Sequence, residues 1–265
     1  MIPMSIITAT LLTISYISVV AGEQCICGHE NHVKRIVGGT KVAHGRYPWF
    51  AQLQILKPGY KNIVICGGAV INNLYVLTAA HCIYTAIKVQ VALSYDFDNL
   101  FTAAKLIPHP LYNGSRNLPH DIGLVKLEKP MVFSQRLKPI CLPPSNIDTS
   151  GQLNVIGFGL TENDTLPDNL LQATITEYNW NDCNNWYEKR LLESQMCAGT
   201  ETQGSCVGDS GGPLFKKVNG KNYVVGVVSM VLSNCKRSYL SVYARVTSYL
   251  DWIKGNTQDA LSCSP

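Results

Sequence analysis

The stretch Gly208-Asp209-Ser210-Gly211-Gly212-Pro213 holds a serine between glycines. Small neighbours let the backbone bring its own N–H groups close to a reacting carbonyl, which suits a serine nucleophile. A serine hydroxyl needs a base, usually a histidine, and a carboxylate to orient that base. The chain has both beside apolar runs: His81 in Thr78-Ala79-Ala80-His81-Cys82, and Asp121 in Asp121-Ile122-Gly123-Leu124-Val125. The three residues predict acyl transfer, with Ser210 as nucleophile, His81 as general base and acid, and Asp121 as the group that holds the imidazole.

The order His, Asp, Ser and the surrounding motifs resemble the trypsin/chymotrypsin-like serine peptidases. The resemblance extends from Arg35-Ile36-Val37-Gly38-Gly39 to Val242-Tyr243-Ala244-Arg245-Val246. It implies that the backbone N–H groups of Gly208 and Ser210 form an oxyanion hole. A binding protein or toxin with the same fold is the main alternative, but such proteins usually lack part of the triad and this chain has all three residues.

The resemblance also implies that the enzyme is made as a zymogen. Cleavage after Arg35 would free the amino group of Ile36, which in this family pairs with the aspartate before the serine, here Asp209. A buried carboxylate without a cation is costly, so we expect a poorly formed oxyanion hole until the cut is made. The expected partners are protein or peptide substrates, an activating trypsin-like protease and protease inhibitors.

The residue six positions before the nucleophile forms the floor of the primary specificity pocket in this family. It is Gly204 here, where trypsin-like members have an aspartate, and the resemblance places Ser205, Ser229, Val231 and Ser241 around it. None of these side chains is charged, so a substrate Arg or Lys would be buried without a counter-ion. Val231 in place of a wall glycine should narrow the pocket. We therefore predict an elastase-like preference for small aliphatic P1 residues, with chymotrypsin-like and trypsin-like preferences as the alternatives.

Residues 1–22 are predicted to be a signal peptide, because residues 6–20 are apolar or hydroxylic without a charge. This run is shorter than the ~20 residues that span a bilayer, so we expect a secreted protein without a membrane anchor. Residues 23–35 are the predicted propeptide, and residues 36–265 the peptidase domain with a short tail from 256. The net charge of +4 is too small to suggest nucleic acid as a partner, and a monomer is expected.

Ten cysteines in an exported chain predict disulfides, because that environment is oxidising. Spacing alone leaves the pairing open, and the family resemblance implies four bridges: Cys66–Cys82, Cys183–Cys197, Cys206–Cys235 and Cys27–Cys141. The last of these would tether the propeptide as a light chain, and the remaining Cys25 and Cys263 would pair with each other. No metal or other cofactor is predicted. A zinc-stabilised module is disfavoured because Cys25-Ile26-Cys27 lacks the two-residue gap of a zinc knuckle.

Most of the chain predicts short strands bounded by Gly, Pro or Asn, among them Ile63–Ile65, Tyr75–Leu77, Gly123–Leu127, Leu153–Gly157 and Tyr223–Met230. Such spacing favours an all-β sandwich or barrel. The resemblance selects two packed six-stranded Greek-key antiparallel barrels, with the catalytic site in the cleft between them. One C-terminal helix is predicted from Thr247 or Ser248 to Gly255, because Val246, Tyr249, Leu250 and Ile253 follow a helical spacing.

Two sequons, Asn113-Gly114-Ser115 and Asn163-Asp164-Thr165, are predicted glycosylation sites in turn-like surroundings. His120 precedes Asp121, and adjacent residues of a strand point to opposite faces. We therefore predict that His120 is a surface histidine and not the partner of Asp121.

Overall fold

The computed structural model describes residues 25–31, 42–93, 96–115, 117–161, 163–231 and 240–265. The predicted signal peptide, Arg35, Ile36 and Cys235 lie outside these residues. The described strands are β1 (Cys25–Ile26), β2 (Phe50–Leu56), β3 (Val64–Val70), β4 (Tyr75–Thr78), β5 (Lys88–Leu93), β6 (Asp96–Pro108), β7 (Gly123–Leu127), β8 (Gln152–Gly157), β9 (Leu171–Glu177), β10 (Gln195–Gly199), β11 (Pro213–Val218), β12 (Lys221–Met230), β13 (Ser241–Arg245) and β14 (Cys263–Ser264). The described α-helices are α1 (Ala80–Ile83), α2 (Trp180–Trp186) and α3 (Leu250–Asn256).

The strands form two closed six-stranded barrels, which confirms the predicted all-β fold. The first has the order β2-β3-β4-β7-β6-β5, the second β10-β13-β12-β11-β8-β9, and all neighbours within each barrel are antiparallel. Strand β2 shows how the sequence sets the inner face, since Leu53 and Ile55 are buried while Gln52 and Gln54 are partly exposed. The predicted strands overlap β3, β4, β7, β8 and β12.

The N-terminal segment packs on the body of the protein. Strand β1 pairs in parallel with β14, so residues near the two ends of the described chain form one small sheet. The Glu30 side chain accepts from Arg46 and from Lys217 and forms an ion pair with each. Arg46 precedes the first barrel and Lys217 lies in the second. The segment is therefore tied to the second barrel and to the stretch of chain that leads into the first.

The C-terminal helix differs from the prediction at both ends. Val246–Tyr249 form a 3₁₀ turn, and α3 starts at Leu250 without a side-chain cap, so Thr247 and Ser248 do not cap it. Gly255 lies inside the helix instead of ending it, and the hydroxyl of Thr257 donates to the carbonyl of Ile253 (3.0 Å).

The predicted tail is packed against the first barrel. Asp259 accepts hydrogen bonds from the Tyr75 hydroxyl (2.7 Å) and the Lys126 ammonium (2.5 Å). The N–H of Leu261 donates to the Asn73 side chain (2.9 Å).

Two of the four described disulfides join cysteines more than 100 residues apart, and two close short loops. The described bridges are Cys25–Cys263, Cys27–Cys141, Cys66–Cys82 and Cys183–Cys197. Cys206 is also disulfide-bonded, and its predicted partner Cys235 lies outside the described residues. In the part of the chain that the structure describes, no helix has the length and apolar character needed to cross a membrane.

Candidate active site

His81 and Asp121 form a close pair in the first barrel. Strand β4 leads into the single-turn helix α1, which holds His81, and Asp121 lies two residues before β7, the neighbour of β4. Nδ1 of His81 is 2.7 Å from Oδ2 of Asp121, and the His81 backbone N–H donates to Oδ1 (2.7 Å). Asp121 is 1% exposed, whereas the His81 side chain is 25% exposed. The buried carboxylate therefore fixes the ring through Nδ1 and leaves Nε2 for chemistry.

Ser229 has a role that the sequence did not indicate. The resemblance places Ser229 in the substrate pocket, and its hydroxyl also donates to Asp121 Oδ2 at 2.6 Å, so the carboxylate has a third donor from the second barrel. Strands β12 and β13 change register between Val228 and Met230, and such an irregularity can re-aim a side chain. Ser229 is 108 residues from Asp121 in the chain, so no local pattern links the two residues.

A second unpredicted contact supports helix α1, which holds His81. The Lys57 ammonium, in the loop after β2, donates to the His81 carbonyl at 2.5 Å. Burial lowers the pKa of Lys57, while the nearby Asp121 acts to raise it. Lys57 thus ties the β2–β3 hairpin to α1.

The loop that carries Ser210 has a backbone that only glycine adopts readily at two positions. Gly208 has φ +103° and Gly211 has φ +78°. The N–H of Asp209 donates to the Cys206 carbonyl, and the N–H of Gly211 to the Val228 carbonyl. Among the described residues, no backbone carbonyl accepts from the N–H of Gly208 or of Ser210. Those two donors are the ones that the resemblance assigns to the oxyanion hole.

The Ser210 loop of the second barrel packs directly against the first. The carbonyl of Ser210 accepts from the N–H of Gly67 in β3 at 2.7 Å. The Thr78 hydroxyl, three residues before His81, donates to the Gly67 carbonyl (2.8 Å), and a Cβ added at Gly211 would lie 2.3 Å from that hydroxyl. Gly67 and Thr78 therefore bring the serine loop to the strand that leads into α1.

Asp209 lines a cavity of about 470 Å³ in the second barrel. Its carboxylate accepts from the N–H of Gly159 (2.7 Å) and of Cys206 (2.8 Å). Burial raises the pKa of Asp209 to about 6, although these two hydrogen bonds act to lower it. No Lys, Arg or His of the described ranges lies within ion-pair distance of this carboxylate.

Two of the predicted pocket residues, Ser205 and Ser241, are in direct contact. The Ser241 hydroxyl donates to the Ser205 carbonyl (3.3 Å), and the Ser205 hydroxyl is 3.2 Å from that of Tyr243. Val231 is partly buried and packs against the core of the second barrel. Gly204 lines the cavity that contains Asp209. Residues 232–239, which follow Val231, lie outside the described part of the chain.

Asp121 pairs with His81 and not with His120, as predicted, but His120 is partly buried instead of lying free at the surface. Its ring stacks on His109 with a centroid distance of 5.1 Å, and its Nδ1 is 3.3 Å from the Tyr249 hydroxyl. The strand argument fails because His120 has φ +56° and precedes β7. Burial, together with the neighbouring His120, lowers the pKa of His109.

The possible metal ligands beside the site are unsuited to a metal. Ligand atoms of Cys66, His81 and Cys82 lie within 4.8 Å of one another. Both sulfurs belong to the Cys66–Cys82 disulfide, which provides no thiolate ligand.

Two antiparallel six-stranded barrels, with a His–Asp pair in one and a Gly-Asp-Ser-Gly-Gly loop from the other at their junction, define the chymotrypsin-like class of serine endopeptidases. A protein-family model described as Trypsin matches residues 36–253. The chain belongs to the trypsin family and is a serine endopeptidase.

Relatives of this chain support the same assignment. Melanization protease 1 of Drosophila melanogaster is 34% identical, with 88% of this chain and 68% of the relative aligned. Trypsin-1 of Astacus astacus is 31% identical over 83% of this chain and 99% of its own. The solved structure of HL collagenase has a TM-score of 0.75 and 31% identity, covering 84% of this chain and 99% of that one.

Proposed function

We propose that Ser210, His81 and Asp121 hydrolyse peptide bonds through an acyl-enzyme. The Ser210 hydroxyl attacks the carbonyl carbon while Nε2 of His81 takes its proton, and the proton then passes to the leaving amine as the C–N bond breaks. Water attacks the resulting ester, again with His81 as base, and releases the acid and Ser210. The observation that carries this proposal is the 2.7 Å contact between His81 Nδ1 and the buried Asp121 carboxylate, which orients the base.

The oxyanion formed in each step needs donors. The N–H groups of Gly208 and Ser210 flank Asp209, and no described backbone carbonyl accepts from either. We assign the oxyanion hole to them, and a donor of this kind is typically worth ~2.7–4 kcal/mol in the transition state.

We propose that cleavage after Arg35 activates the enzyme. The Asp209 carboxylate has a raised pKa, lines a cavity and has no described cationic partner, so it favours an incoming positive charge. The new amino group of Ile36 would supply that charge. The resulting pair would hold Asp209, and with it the adjacent N–H groups of Gly208 and Ser210, in place.

We propose a preference for small aliphatic P1 residues. The hydroxyl of Ser241 is hydrogen-bonded to the Ser205 carbonyl, and that of Ser205 to the Tyr243 hydroxyl. Gly204 and Val231 provide no carboxylate to the pocket. A P1 Arg or Lys would therefore lack a counter-ion. A chymotrypsin-like preference would follow if the residues after Val231 leave room for an aromatic ring.

We propose that the enzyme is exported and glycosylated. The described cysteines are all in disulfides, which persist in oxidising compartments. Asn113 and Asn163 are both exposed, as glycosylation requires. Each expected glycan can be tested by the mass lost on enzymatic deglycosylation of the secreted protein.

Replacing the nucleophile tests the mechanism. In protein cleaved after Arg35, Ser210→Ala should lower kcat by about six orders of magnitude with an unchanged unfolding midpoint, because no acyl-enzyme can form. The exposed Ser145→Ala is the matched control and should keep full activity. If Ser210→Ala kept a tenth of the normal kcat, Ser210 could not be the nucleophile.

Peptides with Ala, Val, Phe or Arg at P1, assayed on the unsubstituted enzyme, rank the specificity alternatives.

A further inference from the structure

The outer face of strands β5, β2 and β3 has an exposed apolar surface. Leu56, Ile63 and Ile65 are 41%, 57% and 41% exposed. Leu56 pairs with Lys88 of β5, and the β2–β3 register, with Ile55 opposite Val64 and Gln54 opposite Ile65, sets Ile63 beside Leu56. We call Leu56, Lys61, Ile63, Ile65 and Lys88 the hairpin face, since Lys61 is exposed in the β2–β3 loop.

The charged side chains of the hairpin face itself are both lysines, and the surrounding stretch of sequence adds no acidic residue. Between Glu30 and Asp96 the chain has no Asp or Glu. Lys61 and Lys88 are exposed, while Lys57 is held against helix α1. A ligand for this face should therefore combine apolar groups with negative charge.

The hairpin face continues the surface that meets the serine loop. Ile65 and Gly67 are two residues apart in β3, so they point to the same side of the strand, about 7 Å apart. That side is covered at Gly67 by Gly212, since an added Cβ would lie 2.8 Å from the Gly212 Cα. It opens at Ile65. A chain leaving the neighbourhood of Ser210 along β3 would thus reach the apolar side chains first and the lysines beyond them.

We propose that the hairpin face binds a second segment of the polypeptide substrate, with apolar side chains flanked by Asp or Glu, outside the residues that fill the cleft. This inference rests on the proposed peptidase function and adds a substrate class to it. The apolar side chains would be buried against Leu56, Ile63 and Ile65, and the carboxylates would pair with Lys61 and Lys88. Exposed ion pairs are individually weak, so the charges mainly select the partner and speed its capture.

Peptides with and without the second segment test the proposal. A fluorogenic core peptide is compared with the same core joined through a glycine linker to Glu-Leu-Asp-Ile-Glu, on its amino side or its carboxyl side, or to Lys-Ser-Lys-Ser-Lys. We expect one acidic extension to lower KM about tenfold at low salt without changing kcat. The gain should shrink in 0.5 M salt, and the basic extension should give none.

Two variants assign that gain to the hairpin face. Ile63→Ser/Ile65→Ser removes apolar surface, and Lys61→Glu/Lys88→Glu reverses the charge. Each should abolish the tenfold gain while leaving kcat and KM for the core peptide unchanged. Val132→Ser/Leu166→Ser is the matched control, since these side chains are 87% and 71% exposed elsewhere. It should keep the gain.

A binding assay separates this inference from the proposed function. Labelled Glu-Leu-Asp-Ile-Glu should bind Ser210→Ala, and lose affinity about tenfold with either hairpin variant added, whether or not the core peptide is hydrolysed. The proposal would be overturned if the acidic extension neither lowered KM nor bound. It would also be overturned if the decrease in KM persisted in both hairpin variants. Hairpin-dependent binding to phosphatidylserine vesicles, with no response to the acidic peptide, would identify a membrane surface as the ligand and also overturn it.

Discussion

At the residue scale, the carboxylate of the proposed triad accepts hydrogen bonds from donors in both barrels. Asp121 accepts from the His81 ring and backbone in the first barrel and from the Ser229 hydroxyl in the second. A buried carboxylate that loses a donor is left partly unsatisfied, which typically costs ~1–3 kcal/mol. Ser229 is thus a positioning residue for the His–Asp pair.

We predict that Ser229→Ala lowers kcat/KM about ten- to a hundredfold, and that Asp121→Asn lowers it by about four orders of magnitude because the imidazole tautomer is then wrong. Ser229→Thr keeps a hydroxyl donor and should recover most of the activity, whereas an effect of lost packing would not be rescued. Steady-state kinetics across pH 5–9 measure these effects. Equal kcat/KM for Ser229→Ala and the unsubstituted enzyme would show that this hydroxyl does not position Asp121.

Asp209 should make the uncleaved protein less stable at neutral than at acidic pH. Its pKa of about 6 in the folded protein lies above the ordinary value of 3.8, so between these values the folded state binds the proton more tightly than the unfolded chain. Its contribution to stability is therefore present below about pH 4 and is lost as pH rises through about 6.

We predict that Asp209→Asn, which cannot ionise, raises the free energy of unfolding of the uncleaved protein by about 1–2 kcal/mol more at pH 7.5 than at pH 4. This figure is smaller than the full pKa shift implies, because solvent in the cavity screens the charge of Asp209. Urea unfolding of both proteins at both pH values measures the difference. After cleavage behind Arg35 the sign should reverse, because the variant has no carboxylate for the Ile36 amine. The same difference at both pH values would mean that Asp209 ionises in the folded protein without cost.

At the element scale, the N-terminal segment is held by two disulfides that reach different parts of the body. Cys27 is bonded to Cys141, and Cys25 to Cys263, its partner within the β1–β14 pair. Glu30 adds ion pairs to Arg46 and Lys217. Burial acts to raise the pKa of Glu30, but hydrogen bonds from Lys217 and Arg46 hold it below its ordinary value.

We predict that either disulfide alone retains the light chain after cleavage at Arg35. The double variants Cys25→Ser/Cys263→Ser and Cys27→Ser/Cys141→Ser should each show an undivided mass without reductant in denaturing conditions and release the light chain with reductant. The quadruple variant should release it in denaturant alone. Release from either double variant without reductant would mean that the other bridge is absent in the folded protein.

Strand patterning predicted an all-β sandwich or barrel and the family resemblance selected the two barrels, but neither predicted the contacts between distant elements. Alternating residues such as those of β2 predict which face is buried, and the His, Asp and Ser motifs are each local enough to recognise. The Ser229–Asp121 bond joins residues in different barrels at a register shift, and the stacking of His120 on His109 depends on a positive φ. Neither has a local pattern. The ends of α3 were missed because the preceding 3₁₀ turn and the Thr257 hydroxyl set them, instead of the expected Ser, Thr and Gly signals.

At the scale of the whole molecule, the proposed activation joins two parts of the chain with opposite chemistry. The junction presents Arg35, whereas the pocket residues Gly204, Ser205, Val231 and Ser241 have no carboxylate to receive a guanidinium. An unpaired buried charge costs ~3–5 kcal/mol, which would slow cleavage by roughly two to four orders of magnitude relative to an acidic pocket. The enzyme should therefore depend on a separate trypsin-like protease.

We predict that purified uncleaved protein converts itself only slowly, whereas added trypsin converts it within minutes. Arg35→Ala presents a small aliphatic P1 residue at the same junction and should reverse this pattern, with faster self-conversion in the presence of a trace of active enzyme and resistance to trypsin. Ser210→Ala/Arg35→Ala is the control that removes self-cleavage. Electrophoresis over time and activity on an Ala-P1 peptide follow both reactions. Product-accelerated conversion of the Arg35 protein, free of other proteases, would show that the pocket accepts a guanidinium and that the specificity proposal is wrong.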